Sequence, residues 1–258
     1  MKSWKSSFPE AVDALHLQPG ERLEELQRGG YRIIQQERAF RFGMDSVLLA
    51  DFARIAPGDT VADFGTGNGI LPLLLRARGK GQQFHAFELQ ADMAALAERN
   101  MALNGLQTQV TVHALDVRRA AEVLPPGSVD AVICNPPYGI PRATLHNPSK
   151  SLDTARHQGE DGLEGWFRAA QRLLRGRGRM SLIYPAPRML QLMEALEATH
   201  LAPKRFRLVY PRPDRPANLA LVEAVKDGRP MLHPEPPLIV RDLSGEETEE
   251  LHRIYGER

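Results

Sequence analysis

Two short stretches of the chain carry residues whose types and spacing could do chemistry: DFGTGNG at 63–69 and NPPY at 135–138. In the first, Gly65, Gly67 and Gly69 allow a tight turn with close backbone approach to a ligand. Thr66 and Asn68 stand between them, and the helical segment that follows offers the partial positive charge of its N-terminus. Nucleotide cofactors occupy such a place in open α/β sheets, outside the carboxyl ends of strands. The spacing is G-x-G-x-G, not the G-x-G-x-x-G of dinucleotide sites, and the Lys-Ser/Thr pair of a P-loop is missing. In the second stretch, the apolar run VDAVIC at 129–134 meets Pro136 and Pro137, which cannot donate to a sheet ladder and so end the strand. Asn135, with an amide, and Tyr138, with an aromatic face, are thereby presented at a strand's carboxyl end. A rigid turn without chemistry would read the same way in isolation.

Acidic residues at successive strand ends narrow the choice. Glu88 closes the run QFHAFE, about 20 residues past the glycines, where a carboxylate can accept from both ribose hydroxyls of an adenosine-containing cofactor. Leu89 beside it is counted with the same site. Asp116 follows the run VTVHAL and could accept from an adenine amino group, with Val117 next to it; it could equally cap the helical VRRAAE. Asp63 could hold the glycine turn or face a cofactor's amino group. Placed together at three strand ends, these acids point to a cofactor site.

The elements that must position these residues follow from hydrophobic rhythm. Strands are expected at 60–65, 83–88, 110–115, 129–134, 179–184, 205–210 and 219–225, with helices near 69–78, 91–103, 162–175 and 187–199. Alternation of this kind implies βαβ units and a mostly parallel, doubly wound α/β sheet with helices on both faces. The last two strands are joined only by PRPDRPAN, too short for a parallel crossover, so the last strand is expected to run antiparallel. Ahead of this pattern, 8–27 reads as helical and 31–40 as strand, and Asp45 stands as the cap of a helix over 44–55. The expected division is an N-terminal helical and strand extension over 1–56, a central domain over 57–232 and a C-terminal extension over 233–258, ending in a short acidic helix.

Composition bounds the rest. With 42% apolar and 25% charged residues, the 258-residue chain is that of an ordinary globular protein able to bury a real core. No apolar run approaches the roughly 20 residues of a membrane span, and MKSWKSSFPE lacks the apolar core of a signal peptide, so a cytoplasmic protein without a membrane partner is expected. Cys134 is the only cysteine, which excludes intrachain disulfides and Cys-rich metal sites; no metal is expected. Net charge is only +1, yet between Arg168 and Arg215 eleven Lys or Arg face three acids, a local +8 that is either a phosphate-binding face or a set of scattered solvated charges.

Taken together, the motifs resemble those of class I S-adenosylmethionine-dependent methyltransferases: DFGTGNG their glycine motif, Glu88 and Asp116 their strand-end acids, NPPY the motif of enzymes that methylate amino groups. More narrowly, FRFGMDSVLLADF at 40–52, TGNGILPLLL at 66–75, CNPPY at 134–138, ARHQ at 155–158 and PPLIV at 236–240 resemble the bacterial tRNA1(Val) adenine N6-methyltransferase family, a "methyltransferase small domain" family. The resemblance runs from about residue 21 to the end. It implies a Rossmann-like fold with a seven-stranded sheet, S-adenosylmethionine as cofactor and RNA as partner, with N6-methylation of adenine in tRNA beside the anticodon. It also brings Phe42 and Asp45 toward the cofactor. The long connection 139–161, with Arg142, Lys150, Arg156 and His157, reads by its length as a substrate-gating loop, and the resemblance of ARHQ agrees; for His157 a structural hydrogen bond is the favoured reading over a catalytic role.

The chemistry of NPPY agrees. An exocyclic amine on a purine is a poor nucleophile, because its lone pair is delocalised. The Asn135 side-chain oxygen and the Pro136 carbonyl can each accept one N–H and aim the lone pair, in the manner of a preorganised oxyanion hole with reversed sign. Pro137 stiffens the turn, and Tyr138 offers a stacking face worth about 1–3 kcal/mol per base. NPPY is shared with glutamine N5-methyltransferases of the release-factor type and with guanine N2-methyltransferases of ribosomal RNA. The first usually carry a larger helical domain ahead of the glycine motif, and the second a duplicated domain. A non-catalytic cofactor- or RNA-binding module is the reading from another class.

Overall fold

The computed structural model describes residues 17–26, 29–36, 43–136 and 162–256. Phe42, Pro137, Tyr138, Arg142, Arg156 and His157, with the whole connection 139–161, lie outside the described residues.

A hairpin comes first: β1 (Glu21–Glu25) pairs antiparallel with β2 (Arg32–Gln36), Glu21 opposite Gln36. The seven expected strands follow as β3 (Thr60–Phe64), β4 (Gln83–Glu88), β5 (Val110–Ala114), β6 (Val129–Cys134), β7 (Leu174–Pro185), β8 (Leu201–Tyr210) and β9 (Leu219–Lys226). They lie in the order β8-β9-β7-β6-β3-β4-β5, with β9 antiparallel to both neighbours and the remaining pairs parallel. Two-residue strands β10 (His233–Pro234) and β11 (Leu238–Ile239) run beside β8 at the edge. Strands β3, β6 and β9 are buried almost end to end, as a sheet covered on both faces requires.

Helices α1 (Met44–Phe52), α2 (Ile70–Ala77) and α3 (Ala91–Leu103) cover one face, and α4 (Gly162–Leu173) and α5 (Met189–Ala198), with the 3-10 turn Val117–Glu122, cover the other. Alternating strand residues serve the two cores: Val61 and Ile133 face the first, Ala62, Phe64, Val132 and Cys134 the second. The C-terminal α6 (Glu249–Tyr255) buries Leu251 and Ile254 in the first core, alongside Leu238 and Val240.

Two expectations are corrected. The described part of 8–27 is a turn and then β1, not helix; its Leu and Glu residues favour helix, but pairing with the Ile-rich β2 decides. The cap of α1 is Gly43, not Asp45, and the Ser46 N–H donates to the Gly43 carbonyl. Asp45 therefore sits inside the first turn, where its charge suits the helix dipole but its side chain does not cap.

The hairpin is fastened by asparagine side chains at α3. Asn104 accepts from the Arg32 N–H at 2.8 Å and donates to the Arg32 carbonyl at 2.6 Å. One helical turn earlier, the fully buried Asn100 accepts from the Ile34 N–H at 2.7 Å and donates to the Ile34 carbonyl at 3.1 Å. Residues four apart on a helix thus meet residues two apart on a strand, and the side-chain amides act as rungs of a ladder. Asn100 also donates to the Asn68 carbonyl at 2.8 Å, which ties the hairpin to the glycine turn. Asn100→Ala leaves three buried backbone groups without this partner and is expected to lower the unfolding free energy by about 3 kcal/mol. The less buried Asn104→Ala should cost about 1 kcal/mol. Urea denaturation of the two variants checks the difference, and equal losses would contradict this account of the clamp.

Candidate active site

Strand register brings the motif residues to one end of the sheet. Phe64 is level with Cys134 on one side and Phe87 on the other, and Glu88 with Ala114. The glycine turn, Glu88, Asp116 and Asn135 consequently leave the sheet side by side. The chain runs outward from β3 through β4 and β5, then returns to β6 on the other flank of β3. That reversal is the switch point at which open α/β sheets hold ligands.

The glycine turn is held from below. The N–H groups of Gly65 and Thr66 both donate to the Phe87 carbonyl, at 3.0 and 2.9 Å, and the Gly69 N–H closes on the Thr66 carbonyl at 3.0 Å. Gly69 caps α2 with φ of 83°, and a Cβ there would strike Met101 at 2.7 Å. At Gly67, with φ of 58°, a Cβ would meet nothing within 4 Å, so this backbone faces open space. Its N–H donates to Glu88 Oε2 at 2.9 Å, while Glu88 Oε1 accepts from the Gln90 N–H at 2.9 Å. Glu88 is 7% exposed, and each carboxylate oxygen keeps a further lone pair. Leu89, 62% exposed, extends an apolar side chain into solvent next to it.

Asp63 is fully buried near the end of β3, and neither carboxylate oxygen has a hydrogen-bond partner among the described residues. Burial pushes its pKa up to about 7; the nearby Thr66 hydroxyl tempers the rise and the charge of Glu88 adds to it. The Thr66 Oγ1 is itself buried without a well-formed hydrogen bond, so its proximity does not satisfy Asp63. Two carboxylate oxygens and a hydroxyl, all buried, thus stand together without a well-formed hydrogen bond among the described residues, an arrangement that costs stability unless a ligand supplies partners.

Asp116 is placed at the third strand end, yet its carboxylate is engaged. It caps the 3-10 turn through the Arg118 N–H at 2.9 Å and grips the Arg118 guanidinium at 2.5–3.0 Å, which holds its carboxyl below the usual range. Val117 beside it is buried in the second core. Asn135 and Pro136 follow β6 directly, half-buried and buried respectively. Below them the Cys134 thiol is fully buried and pushed well up by desolvation, so it stays protonated.

Trp166 on α4 is a site residue that sequence reasoning misses. Its ring meets Phe64 edge-on at 6.4 Å between centroids, and its rim lies 3.0 Å from where a Gly65 Cβ would stand. The only sequence signal is an aromatic residue on the helix after the NPPY connection. The basic stretch, in contrast, is partly neutralised: six of its eleven cations pair with a carboxylate. Arg168, Arg175, Arg179, Arg205, Arg207 and Arg212 each pair with a carboxylate, and Arg205 is buried between Glu223 and Glu235 with its guanidinium 3.7 Å above the Phe52 ring. Among the described residues, no group of three His, Cys, Asp or Glu is placed to hold a metal, and no helix is long and apolar enough to cross a membrane.

The model of the methyltransferase small domain family matches residues 43–199, from the start of α1 to the end of α5. The chain belongs to that family. It is 28% identical over 187 residues to the tRNA1(Val) (adenine(37)-N6)-methyltransferase of Parabacteroides distasonis, covering 72% of this chain and 76% of the relative. Identity to the protein of the same name from Tolumonas auensis is 32% over 164 residues, 63% of this chain and 67% of the relative. Among solved structures, a predicted O-methyltransferase from Agrobacterium tumefaciens superposes with a TM-score of 0.67 at 25% identity, over 83% of this chain and 96% of that one.

The cofactor of this methyltransferase is S-adenosylmethionine. The site fits it: Asp63 and Thr66 offer unpartnered oxygens for an ammonium group, Gly67 offers open backbone, and Glu88 offers lone pairs for ribose hydroxyls.

Asp63 also sets a pH signature. Its folded-state pKa of about 7 lies above the ordinary 3.8, so the folded protein keeps a proton that the unfolded chain releases. The stability this represents is complete below about pH 4 and is lost as pH rises to about 7. Without cofactor, Asp63→Asn is therefore expected to be more stable than the parent at pH 7.5 by a few kcal/mol, with the gap shrinking toward pH 4. Parallel urea unfolding at several pH values checks this; a gap independent of pH would contradict it.

Proposed function

We propose that this methyltransferase transfers the methyl group of S-adenosylmethionine to N6 of adenine in RNA, with tRNA beside the anticodon as substrate. The observation that carries this reading is the placement of Asn135-Pro136 at the end of β6, one strand from the glycine turn, with Phe64 level with Cys134. Relatives named tRNA1(Val) (adenine(37)-N6)-methyltransferase support the substrate.

Bound S-adenosylmethionine supplies a methyl group already activated on a sulfonium, so no metal and no strong base are needed. Asp63 meets the cofactor's ammonium, Glu88 its ribose hydroxyls, and Leu89, Asp116 and Val117 border the adenine. Phe42 and Asp45 are counted with the cofactor site. The Asn135 amide oxygen and the Pro136 carbonyl accept the two N–H bonds of the target amine, and Pro137 fixes the turn that aims them together. Tyr138 stacks on the base, which is cheap to unstack because it comes from a loop. Arg142, Arg156 and His157 meet the flanking backbone. As the amine takes the methyl, positive charge grows on nitrogen against acceptors already in place, and its proton then passes to solvent. The segment 57–232 carries this chemistry, with 1–56 and 233–258 as its N- and C-terminal extensions, and the work is done in the cytoplasm.

Radiolabelled S-adenosylmethionine offered with unmodified tRNA, ribosomal subunits or release factor tests the reading. Label is expected as N6-methyladenosine in tRNA; label in ribosomal guanine or in glutamine would overturn the substrate and keep the chemistry. Asn135→Ala is expected to slow transfer about 100-fold or more while cofactor affinity stays within a few-fold. An equal loss of cofactor binding would remove Asn135 from the amine-orienting role.

A further inference from the structure

At the opposite end of the sheet from the glycine turn lies an open cavity of about 400 Å³ lined by Arg54, Arg177, Arg179, Lys204, Arg205 and His233, with Glu223 and Glu235 at its wall. Five fixed cations against two carboxylates leave it at +3 with His233 neutral. The carboxylates are committed inward. Glu223 is 1% exposed and pairs with Arg205 at 3.2 Å, and Glu235 pairs with Arg205 at 2.9 Å. Toward the mouth the pairs lengthen, to 3.3 Å for Arg179 with Glu223 and 3.5 Å for Arg54 with Glu235, and both arginines are about half exposed or more. Arg177 and His233 are exposed.

Arg177 has a second peculiarity. It adopts φ of 66°, the left-handed region, between Gly176 and Gly178. A non-glycine residue pays strain there, and sites of retained strain cluster where a side chain is needed. Either neighbouring glycine would take the turn more easily, yet the arginine holds it and reaches the cavity.

We propose that this cavity is a secondary binding site for RNA backbone phosphates, remote from the methylated base; this rests on the reading of the substrate as a structured RNA. Its five fixed cations come from three separate segments, so the charge is spread as a run of phosphates is, not focused as a single small anion needs. Its position suits a duplex stem. Arg179 is level with Ala131, four residues before Asn135, or about 13 Å along the sheet at about 3.3 Å per residue. The cavity extends from there across β9 to β8, a separation that a few nucleotides of an A-form stem next to the reacting loop can span. The site adds affinity and register without reading sequence.

Binding of a full tRNA transcript to the whole protein, measured between about 50 and 200 mM salt, tests this with Arg177→Gly and with Arg177→Gly combined with Arg54→Ala. Arg177→Gly removes the charge and the strain together, so its unfolding midpoint is expected to match or exceed the parent's. Affinity for tRNA is expected to fall about 3- to 10-fold per arginine, and the salt slope to shrink by about 1 for each phosphate no longer neutralised. Cofactor affinity and the transfer rate at saturating tRNA should stay at parental values, as should binding of a loop-only oligonucleotide. Parental tRNA affinity and salt slope in both variants would overturn the site, as would an equal loss on the loop oligonucleotide. If the parent itself neither binds nor methylates tRNA, the substrate reading fails first and takes this proposal with it; a parent that methylates tRNA with unaffected variants sinks the cavity alone.

Discussion

A carboxylate held entirely out of water is the constraint around which this protein is arranged. Asp63 lies near the end of the central strand, is fully buried, and finds no donor among the described residues. An isolated buried charge of that kind costs several kcal/mol, and it drives the pKa up to about 7 so that much of the population is neutral near physiological pH. Nothing in the packing of the sheet demands an acid there; the flanking Ala62 and Phe64 are apolar. The cost makes sense if the missing donor arrives with the cofactor, whose ammonium restores the charged form. The site is then less stable empty than filled, and the protein's stability is coupled to cofactor binding by mass action.

The turn that follows Asp63 has to keep its shape while empty. Backbone bonds from Gly65 and Thr66 to the Phe87 carbonyl fix its base, and Glu88 fixes its crest through the Gly67 N–H. Asn100 secures the far side through the Asn68 carbonyl and, in the same amide, secures β2. The hairpin is therefore more than a peripheral addition: one buried side chain divides its hydrogen bonds between it and the loop. Packing adds to this from the other face, where Trp166 stands so close to Gly65 that any side chain at that position would have to displace it.

Much of this is legible in the sequence where a signal has a local physical cause. The buried strands announce themselves as short apolar runs closed by Gly, Pro or acids, and the seven fall where periodicity places them, although β7 and β8 begin five and four residues ahead of the expected 179 and 205. The short PRPDRPAN connection suffices to turn β9 antiparallel. What is not legible depends on partners distant in sequence. The segment ERLEE is built of helix formers, and only its pairing with β2 makes it a strand. The eleven cations between Arg168 and Arg215 could have formed a single face, but six are paired with carboxylates, among them Asp130, Glu223, Glu235 and Glu250 from distant segments. Asp116 shows the opposite case: the local reading as a cap is already in the sequence, and its ion pair with Arg118 two residues on is what the structure adds.

The two ends of the sheet show different uses of the same residue types. At the carboxyl ends, acids stand beneath backbone N–H groups and open glycines, an environment that favours a cation and a hydroxylated ring. In the cavity at the other end, arginines outnumber acids, and its two acids, Glu223 and Glu235, hold the buried Arg205, whose guanidinium is also stacked on Phe52 and bonded to its carbonyl. A buried ion pair such as Arg205–Glu223 is a poor device for stability, since replacing it by apolar residues is often neutral or better. Here it has another consequence. With Glu223 and Glu235 bound to the buried arginine, neither can fully neutralise Arg54 and Arg179 at the surface, and the positive field of that end survives. The inner pair thus keeps the outer charges available, a property that a purely apolar core beneath them would also allow but could not orient.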